Sequence, residues 1–478
     1  MSSFCAYYHE QTKYTPEGIA RSARQLEWDQ QPRPYKEFTT GQKLDLKPYL
    51  AEPESTGLHR LSRLLYLTYG VTAVVPYPNQ PFYMRSAPSA GGLYPAEIYL
   101  VSRGGPALPA GIYNYQVLSH SLLHWEQPVW SGLQQACFDH PALTGDLALV
   151  VTAVFARSAW RYADRAYRRI CLDTGHLLGN LELAASLTGF TLQVCGGFQD
   201  EPLGHLLDLN PSEEAPLCVA ALGQMRIPGP TALSSPVAQD FPTVGAGQLL
   251  AYLHRASQIT VRTPPTPAAP RQDKYNFPFC LKVSTLTPPL VWQDRLAETM
   301  THRRSTRQYT GEDLTLTELK QLLHFTYQPQ DYPFDPDPDY FDLTLLETFV
   351  AVMGVMGLEE GCYYYAPAVQ ELRQVRFKNF RAEVHYLCLG QDLGRDAGAV
   401  VFHTADLTAA VARYGERAYR YLHLDAGHLG QRLNLGAVRL GLGVSGIAGF
   451  FDDQVNEVLG IPRAEAVLYI TTLGRPVS

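Results

Sequence analysis

A long internal repeat constrains this chain more than any other feature of its sequence. The segment RYADRAYR at positions 161–168 returns as RYGERAYR at 413–420. Further on, LDTGHL at 172–177 returns with the same spacing as LDAGHL at 424–429. Repetition over such a stretch indicates that one structural unit is used twice. At 478 residues the chain is also long enough for two hydrophobic cores.

Each copy of the repeat predicts the same order of helices and strands. LLYLTY at 64–69 is matched by LLHFTY at 322–327, so each copy begins with an amphipathic helix. A strand, a loop and a second strand follow, and the repeated segment itself has the apolar spacing of a long helix. A closing strand ends each copy. The predicted fold class is α+β, with one unit duplicated in tandem.

The chain divides into four segments on this basis. Residues 49–227 and 291–478 are the two copies, and residues 1–48 form an N-terminal segment. Residues 228–290 are rich in proline and are predicted to be a linker or a small insert, with one short helix near 249–256.

Composition and charge exclude several classes of function. The formal net charge is -7 and the basic residues are scattered, so no surface for nucleic acid is predicted. The longest apolar run, 147–155, is shorter than the roughly 20 residues of a membrane helix. The polar start has no secretion signal, so a cytoplasmic location is the default expectation. The eight cysteines are far apart, which predicts neither a metal site nor disulfides.

The most distinctive loop is PSAGGLYP at 88–95, directly before the strand-like AEIYLV at 96–101. Small residues let backbone amides approach a flat ligand closely. An ordinary tight turn would explain the glycines equally well. The second copy has DLTL at 342–345 in the equivalent place, and a turn that the fold required should have been kept in both copies. The difference favours a ligand-binding loop in the first copy.

A basic cluster, HRRSTR at 302–307, opens the second copy and has no counterpart in the first. Guanidinium groups bind phosphate oxygens in pairs, so arginines beside a hydroxyl suit a phosphate site. A solvated basic turn is the alternative, since that is the usual fate of a short charged run. Arg475 supports the phosphate site, because it follows the closing strand of the second copy only.

An Arg-Tyr pair occurs in both copies, as Arg161-Tyr162 and as Arg413-Tyr414. A cation beside a phenol lowers its pKa and makes it a usable proton acceptor. A salt bridge at a helix start, with a packed tyrosine, would produce the same pattern. Spacing alone does not separate the two interpretations.

Two other patterns are interpreted as structural. Asp173 and His176 recur as Asp425 and His428 inside a helix with no third ligand nearby, which favours packing and a buried hydrogen bond over a metal site. GLGVSG at 441–446 matches the dinucleotide-binding pattern but follows a helix instead of a strand. It predicts a helix end, then a loop whose amides face a cofactor.

The loop at 89–95, the Arg-Tyr pair and the Asp-x-Gly-His helix resemble the SagB-type azoline dehydrogenases of the nitroreductase superfamily. The resemblance covers nearly the whole chain, and the duplicated layout is similar to that of cyanobactin oxidases. It implies FMN as cofactor and oxidation of thiazolines or oxazolines in ribosomally made peptides to azoles, with O2 as electron acceptor. The two nitroreductase-like copies are then expected to form a pseudo-dimer within one chain.

The resemblance also implies which residues bind FMN. One group matches the phosphate-binding residues, a second matches a loop contributed from the opposite copy, and a third lies near the reactive edge of the flavin. These are Arg303, Arg304, Ser305, Arg307 and Arg475 for the first group, Pro88, Ser89, Ala90 and Gly91 for the second, and Gly446 and Gly449 for the third.

A Lys-Tyr pair of the family, thought to remove a proton, corresponds to the two Arg-Tyr pairs. Arg replaces Lys in both copies, and because Arg stays protonated, the tyrosine is the better candidate for the base. Tyr162 is favoured over Tyr414, since the long helix of the first copy should reach the flavin held by the second. Each copy keeps only half of a site, so one site and one FMN are expected per chain.

Two other functions stay open at this stage. A reductase of quinones or nitroaromatics, fed by a nicotinamide donor, would also use FMN, although such enzymes tend to have a polar, Asn-containing version of the loop. A non-enzymatic peptide-binding partner of a modification complex would keep the fold as a relic. The expected partners are an azoline-containing peptide and O2, with residues 1–48 and the proline-rich segment as candidates for peptide capture. A homodimer is expected from the superfamily.

Overall fold

The computed structural model describes residues 3–21, 25–51, 57–77, 81–105, 107–223, 226–227, 231–267 and 272–477. The predicted start of the linker at residue 228 lies outside these ranges. The helices are α1 (Phe4–Gln11), α2 (Pro16–Arg21), α3 (Pro48–Ala51), α4 (Gly57–Tyr69), α5 (Trp130–Ala136), α6 (Phe155–Tyr162), α7 (Ala166–Leu187), α8 (Asp200–Leu206), α9 (Leu249–Ala256), α10 (Leu296–His302), α11 (Leu316–Tyr327), α12 (Arg381–Leu387), α13 (Asp392–Arg395), α14 (Leu407–Tyr414), α15 (Ala418–Arg439) and α16 (Asp452–Leu459).

The strands of the described residues form two large sheets and two small ones. They are β1 (Gln42–Asp45), β2 (Val71–Val75), β3 (Phe82–Arg85), β4 (Ala96–Ser102), β5 (Gly111–Gln116), β6 (Ser121–Trp125), β7 (Leu147–Val154), β8 (Thr191–Cys195), β9 (Glu214–Gly223), β10 (Lys282–Ser284), β11 (Leu314–Thr315), β12 (Glu347–Val352), β13 (Val355–Met356), β14 (Gly361–Ala366), β15 (Glu371–Arg376), β16 (Ala399–Asp406), β17 (Gly443–Ile447) and β18 (Glu465–Gly474).

The two seven-stranded sheets have the same topology. Their strand orders are β1-β6-β5-β4-β7-β9-β8 and β10-β15-β14-β12-β16-β18-β17. An irregularity of the strand pairing also recurs: the register shifts after Val151 in β7 and after His403 in β16. The predicted tandem duplication is therefore confirmed, and so are the amphipathic first helices, which are α4 and α11.

The two copies meet along their long helices, α7 and α15, which have 22 residues each and are buried almost throughout. At their crossing a Cβ on Gly175 would overlap the carbonyl oxygen of Leu424, and one on Gly427 would overlap that of Leu172. Only glycine permits backbones to approach so closely. The repeated Asp-x-Gly-His sequence thus makes the pseudo-twofold contact of an intrachain dimer.

The segment before each copy also belongs to the repeat. Helix α1 begins on the Glu416 carboxylate, which accepts from the amides of Phe4 (2.9 Å) and Cys5. Helix α9 begins in the same way on Asp164, which accepts from the amide of Leu250 at 3.1 Å. Each helix therefore packs on the opposite copy. The predicted linker, whose short helix is α9, is the counterpart of the N-terminal segment and supplies the edge strand β10.

Buried ion pairs also cross between the copies. Arg168 of α7 binds Asp452 at 2.8 Å, and Arg420 of α15 binds Asp200 at 2.9 Å. Arg165 and Arg417 join the same carboxylates. Removing one partner of such a pair leaves an uncompensated buried charge, which costs about 3–5 kcal/mol. These arginines of the repeat are thereby committed to holding the two copies together.

The GLGVSG pattern is part of a helix end and a strand. Helix α15 ends at Arg439, as predicted, and Gly441 has a φ of +72°. Residues 443–447 then form the edge strand β17, where a loop was predicted, because their backbone pairs with β18. In the part of the chain that the structure describes, no helix is both long and apolar enough to cross a membrane.

Candidate active site

A cavity of about 420 Å³ lies where the two copies meet at one end of α7. Its walls come from both halves of the chain: the predicted loop, α6 and α7 from the first copy, and the basic cluster, β17 and β18 from the second. It is lined by Pro88, Ser89, Ala90, Gly91, Arg161, Tyr162, Arg169, Leu172, Asp173, His176, Ser305, Arg307, Gln391, Leu393, Ser445, Gly446, Ile447, Ala448, Gly449 and Tyr469.

The predicted loop is held against α7 by Asp173. Its carboxylate accepts hydrogen bonds from the Ser89 hydroxyl (2.5 Å) and from the Ala90 amide (3.1 Å). Gly91 and Gly92 follow with φ values of +66° and +67°, which glycine adopts without strain. Burial raises the pKa of Asp173 to about 7, against the lowering effect of these hydrogen bonds. The buried hydrogen bond predicted for this aspartate thus fixes a wall of the cavity.

Arg161 and Tyr162 stand beside the same loop. A Cβ on Gly91 would lie 3.1 Å from the Tyr162 hydroxyl and 3.2 Å from Cδ of Arg161, so the glycine lets the loop lie directly against these two side chains. The pKa of Tyr162 is raised, because its burial outweighs the lowering effects of Arg169 and Arg161. The neighbouring cations thus lower this pKa as expected, but burial has the larger effect and the net shift is upward.

Arg169 is a lining residue that the sequence interpretation missed. Its side chain is 1% exposed, and its Nε and Nη2 atoms have no hydrogen-bond partner among the described residues. Burial and the nearby Arg165 lower its pKa to about 10, so it is charged at neutral pH. A buried, uncompensated cation is costly, which indicates that a ligand with acceptor oxygens or nitrogens belongs here. The repeat carried a signal, since the equivalent position is Tyr421.

The basic cluster divides between two roles. Ser305 and Arg307 line the cavity. Arg303 lies behind the loop, where its Nε donates to the carbonyl of Ser86 at 2.7 Å, while Nη1 has no partner within the described chain. Arg304 donates to the carbonyl of Thr72 at 3.0 Å. Arg303 and Arg304 thus support the backbone before the loop instead of lining the cavity.

Arg475 lies away from the cavity. Its guanidinium makes a two-pronged ion pair with Glu318, at 2.8 and 2.9 Å. Glu318 is also the residue that completes the N-terminal capping box of α11 with Thr315. The structure therefore gives Arg475 a carboxylate partner within the protein, and Arg475 is not among the residues that line the cavity.

The wall from the second copy offers backbone amides and a tyrosine. Gly446 and Gly449 line the cavity as expected from the resemblance. In the described ranges, no acceptor reaches the amides of Ala448 or Gly449. The Tyr469 hydroxyl lies 2.9 Å from Nε2 of His176. Tyr469 was not predicted, because nothing in a strand sequence marks which residue faces a cavity.

The place related to this cavity by the pseudo-twofold axis is filled. Asp425 again holds a loop, accepting from the amides of Phe341 (3.0 Å) and Asp342 (2.8 Å). The Phe341 ring stacks on Tyr421 at 4.7 Å, and a Cβ on Gly196 would meet that ring at 2.5 Å. Tyr414 is 3% exposed here and does not line the open cavity.

The amides of the filled place are also occupied. Gly196 and Gly197 are the counterparts of Ala448 and Gly449, and both donate to the carbonyl of Thr231, at 2.7 and 3.1 Å. Leu233 packs against Gly197 from the same segment. We call the two places the open site and the closed site.

Comparison with known proteins agrees with this architecture. The model of the nitroreductase family matches residues 59–224 and 300–475, one match per copy. A crystal structure of a candidate nitroreductase from Anabaena variabilis superimposes with a TM-score of 0.95, at 59% identity over 100% of both chains.

Two curated relatives each match a stretch of this chain about as long as one copy of the repeat. The candidate nitroreductase MJ1384 of Methanocaldococcus jannaschii is 31% identical over 190 residues, 40% of this chain and 95% of that protein. The microcin B17-processing protein McbC of Escherichia coli is 29% identical over 161 residues, 31% of this chain and 57% of McbC. The family model matches both copies and covers most of the chain. The chain therefore belongs to the nitroreductase family.

Proposed function

We propose that this protein is an FMN-dependent oxidase that converts thiazolines or oxazolines in ribosomally made peptides to thiazoles or oxazoles, with O2 as acceptor. The observation that carries the proposal is the open site, where a glycine-containing loop, a tyrosine flanked by two arginines and unpaired donors line one cavity. A relative that processes microcin B17 supports a peptide as the substrate.

The residues of the open site fit FMN. The cavity has the size of a small-molecule ligand, and the unpartnered nitrogens of Arg169 would suit the polar edge of a flavin ring. Ser305 and Arg307 would hold the phosphate, and the amides of Ala448 and Gly449 offer further donors. When bound, FMN supplies the two-electron redox chemistry that links oxidation of the azoline to reduction of O2. The azoline loses two electrons and two protons, and O2 becomes hydrogen peroxide.

Tyr162 is the group that this proposal assigns to proton removal. Its side chain lines the cavity, with the hydroxyl against the loop at Gly91, and Arg169 and Arg161 favour its phenolate form. Because burial keeps its pKa above the usual value, only a small fraction is ionised at neutral pH. The rate should therefore rise with pH, as expected for a base with a high pKa.

The test combines flavin content with turnover of a defined peptide. Purified protein should bind one FMN per chain, and a thiazoline peptide should lose two hydrogen atoms per ring in air, as seen by mass spectrometry. An unchanged peptide mass together with steady NADPH oxidation in the absence of peptide would favour the reductase of quinones or nitroaromatics. Protein that binds no FMN would favour the non-enzymatic partner.

A further inference from the structure

Aromatic side chains adjoin two elements that line the open site, α6 and the loop at 88–92. Trp28 is 63% exposed, and its ring lies 5.4 Å from that of Trp160 at an angle of 69°. The Trp160 indole donates to the carbonyl of Glu27 at 3.2 Å, which ties the N-terminal segment to α6. Tyr77, also 63% exposed, packs on Phe82. We call Trp28, Trp160, Tyr77 and Phe82 the aromatic rim.

The aromatic rim is continuous with the cavity. Trp160 directly precedes Arg161 and Tyr162, which line it. Phe82 packs on Gly92, where a Cβ would overlap its ring, and Gly92 follows the lining residue Gly91. A ligand in the cavity that extends past its mouth would therefore meet these rings.

The aromatic rim is absent around the closed site. The counterpart of Trp160 in the repeat is Ala412, which is exposed. The hairpin of β2 and β3, which carries Phe82 and leads to Tyr77, is replaced by residues 328–342, all described and without a strand. Single exposed hydrophobic residues need no explanation. The four aromatic residues beside the open site, of which Trp28 and Tyr77 are exposed and Trp160 and Phe82 are half-buried, set it apart from the closed site and point to the ligand of the open site.

We propose that the aromatic rim holds the peptide on either side of the reacting ring. This inference rests on the proposed function and names the part of the substrate that the cavity cannot hold. A cavity of about 420 Å³ has the size of one small-molecule ligand, so FMN would take up most of it and leave room for little beyond the azoline ring. The flanking residues of an extended peptide then lie across the rim, where indole and phenol rings stack on flat peptide groups and apolar side chains.

The experiment compares two substrates in variants of the rim. One substrate is a single thiazoline with acyl and amide caps, and the other carries the same ring within a nine-residue peptide. In Trp28→Ala and in Trp160→Ala, the ratio of kcat/KM for the long over the capped substrate should fall about tenfold, mainly through KM, as expected for the loss of one stacked ring. Phe377→Ala removes an equally exposed aromatic that neither lines the cavity nor belongs to the rim, and it should leave the ratio unchanged. Ratios equal to wild type in both rim variants would overturn the inference.

Direct binding separates this inference from the proposed function. If no azoline is oxidised, the nine-residue thiazole peptide is still titrated against each protein by fluorescence anisotropy, with flavin content and melting temperature as folding controls. Binding to wild type and Phe377→Ala that weakens in Trp28→Ala and Trp160→Ala would support the rim even then. Equal affinity in all four proteins, or no binding to wild type, would overturn it.

Discussion

The open and the closed site are built on one backbone plan and differ in what fills them. Both have an aspartate of the long helix that holds a loop, Asp173 in one and Asp425 in the other. In the open site that loop is small and rich in glycine, whereas in the closed site it carries Phe341 into the place of the ligand. The shared features are scaffold, because both halves need them to fold.

The features that differ are therefore the better guide to function. Arg169 is unpaired in the open site, and Tyr421 takes its place in the closed one. The amides of Gly196 and Gly197 are bonded to Thr231, whereas those of Ala448 and Gly449 have no acceptor in the described residues. A duplicated chain can give up one site and keep the other, provided that the lost site is filled well enough to avoid a void.

Substitution of the two equivalent tyrosines should give the largest difference between the sites. Tyr162→Phe should lower kcat for a thiazoline peptide by about 10²- to 10⁴-fold, the usual contribution of a positioned acid or base. Tyr414→Phe should leave kcat unchanged, because Tyr414 lies at the closed site. The residual activity of Tyr162→Phe should also lose the rise with pH, which a pH profile of kcat/KM would show. Equal losses in both variants would contradict the assignment.

Removal of the Phe341 ring, which fills the closed site, should lower the stability of the protein without creating a second FMN site. Phe341→Ala should lower the free energy of unfolding by about 3–5 kcal/mol, measured by urea denaturation. FMN should still bind once per chain, because Tyr421 and the carbonyl of Thr231 continue to occupy the place. Two flavins per chain in Phe341→Ala alone would show that the Phe341 ring is all that keeps FMN out of the closed site. Two flavins per chain in wild type would show that nothing keeps FMN out of it.

Substitution of Asp173 and of Asp425, which hold the two loops, should lower the free energy of unfolding by similar amounts, but only the substitution of Asp173 should weaken FMN binding. Asp173→Ala removes the acceptor of the Ser89 hydroxyl and the Ala90 amide, Asp425→Ala removes the acceptor of two buried amides, and each should cost about 1–3 kcal/mol. The FMN dissociation constant should rise about tenfold in Asp173→Ala only, since this loop lines the cavity. Fluorescence titration with FMN measures the second effect. A weaker affinity in Asp425→Ala as well would mean that the closed site contributes to binding.

Arg475 should give the smallest effect. Its ion pair with Glu318 is partly exposed, so Arg475→Gln should cost at most about 1 kcal/mol and change the FMN dissociation constant by less than about twofold. Arg307→Gln, which removes a cation that lines the cavity, should raise that constant about tenfold or more. An effect of Arg475→Gln as large as that of Arg307→Gln would restore the phosphate role implied by the resemblance.

Much of this architecture follows from the sequence because the repeat is direct evidence. Identical residues in two copies predict two identical folding units, and differences such as Ser89–Gly92 against 342–345 predict which half of a site each copy keeps. A further signal went unused: AYYH at 6–9 is repeated as AYLH at 251–254, and these segments are the equivalent helices α1 and α9. It would have shown that the predicted linker is part of the repeat.

The tertiary structure alone decided which charged residues are free to meet a ligand. Arg168 and Arg169 are neighbours in sequence, yet the first is bound to Asp452 and the second faces the cavity unpaired. Arg475 and Arg307 look equally suited to phosphate, but among the described residues only Arg475 has a carboxylate partner. Burial and partner set the energy of a charge, and both depend on contacts between residues hundreds of positions apart. The sequence determined by itself that the fold is a duplicated unit with broken symmetry, and the packing of the two units decided where the single open site lies.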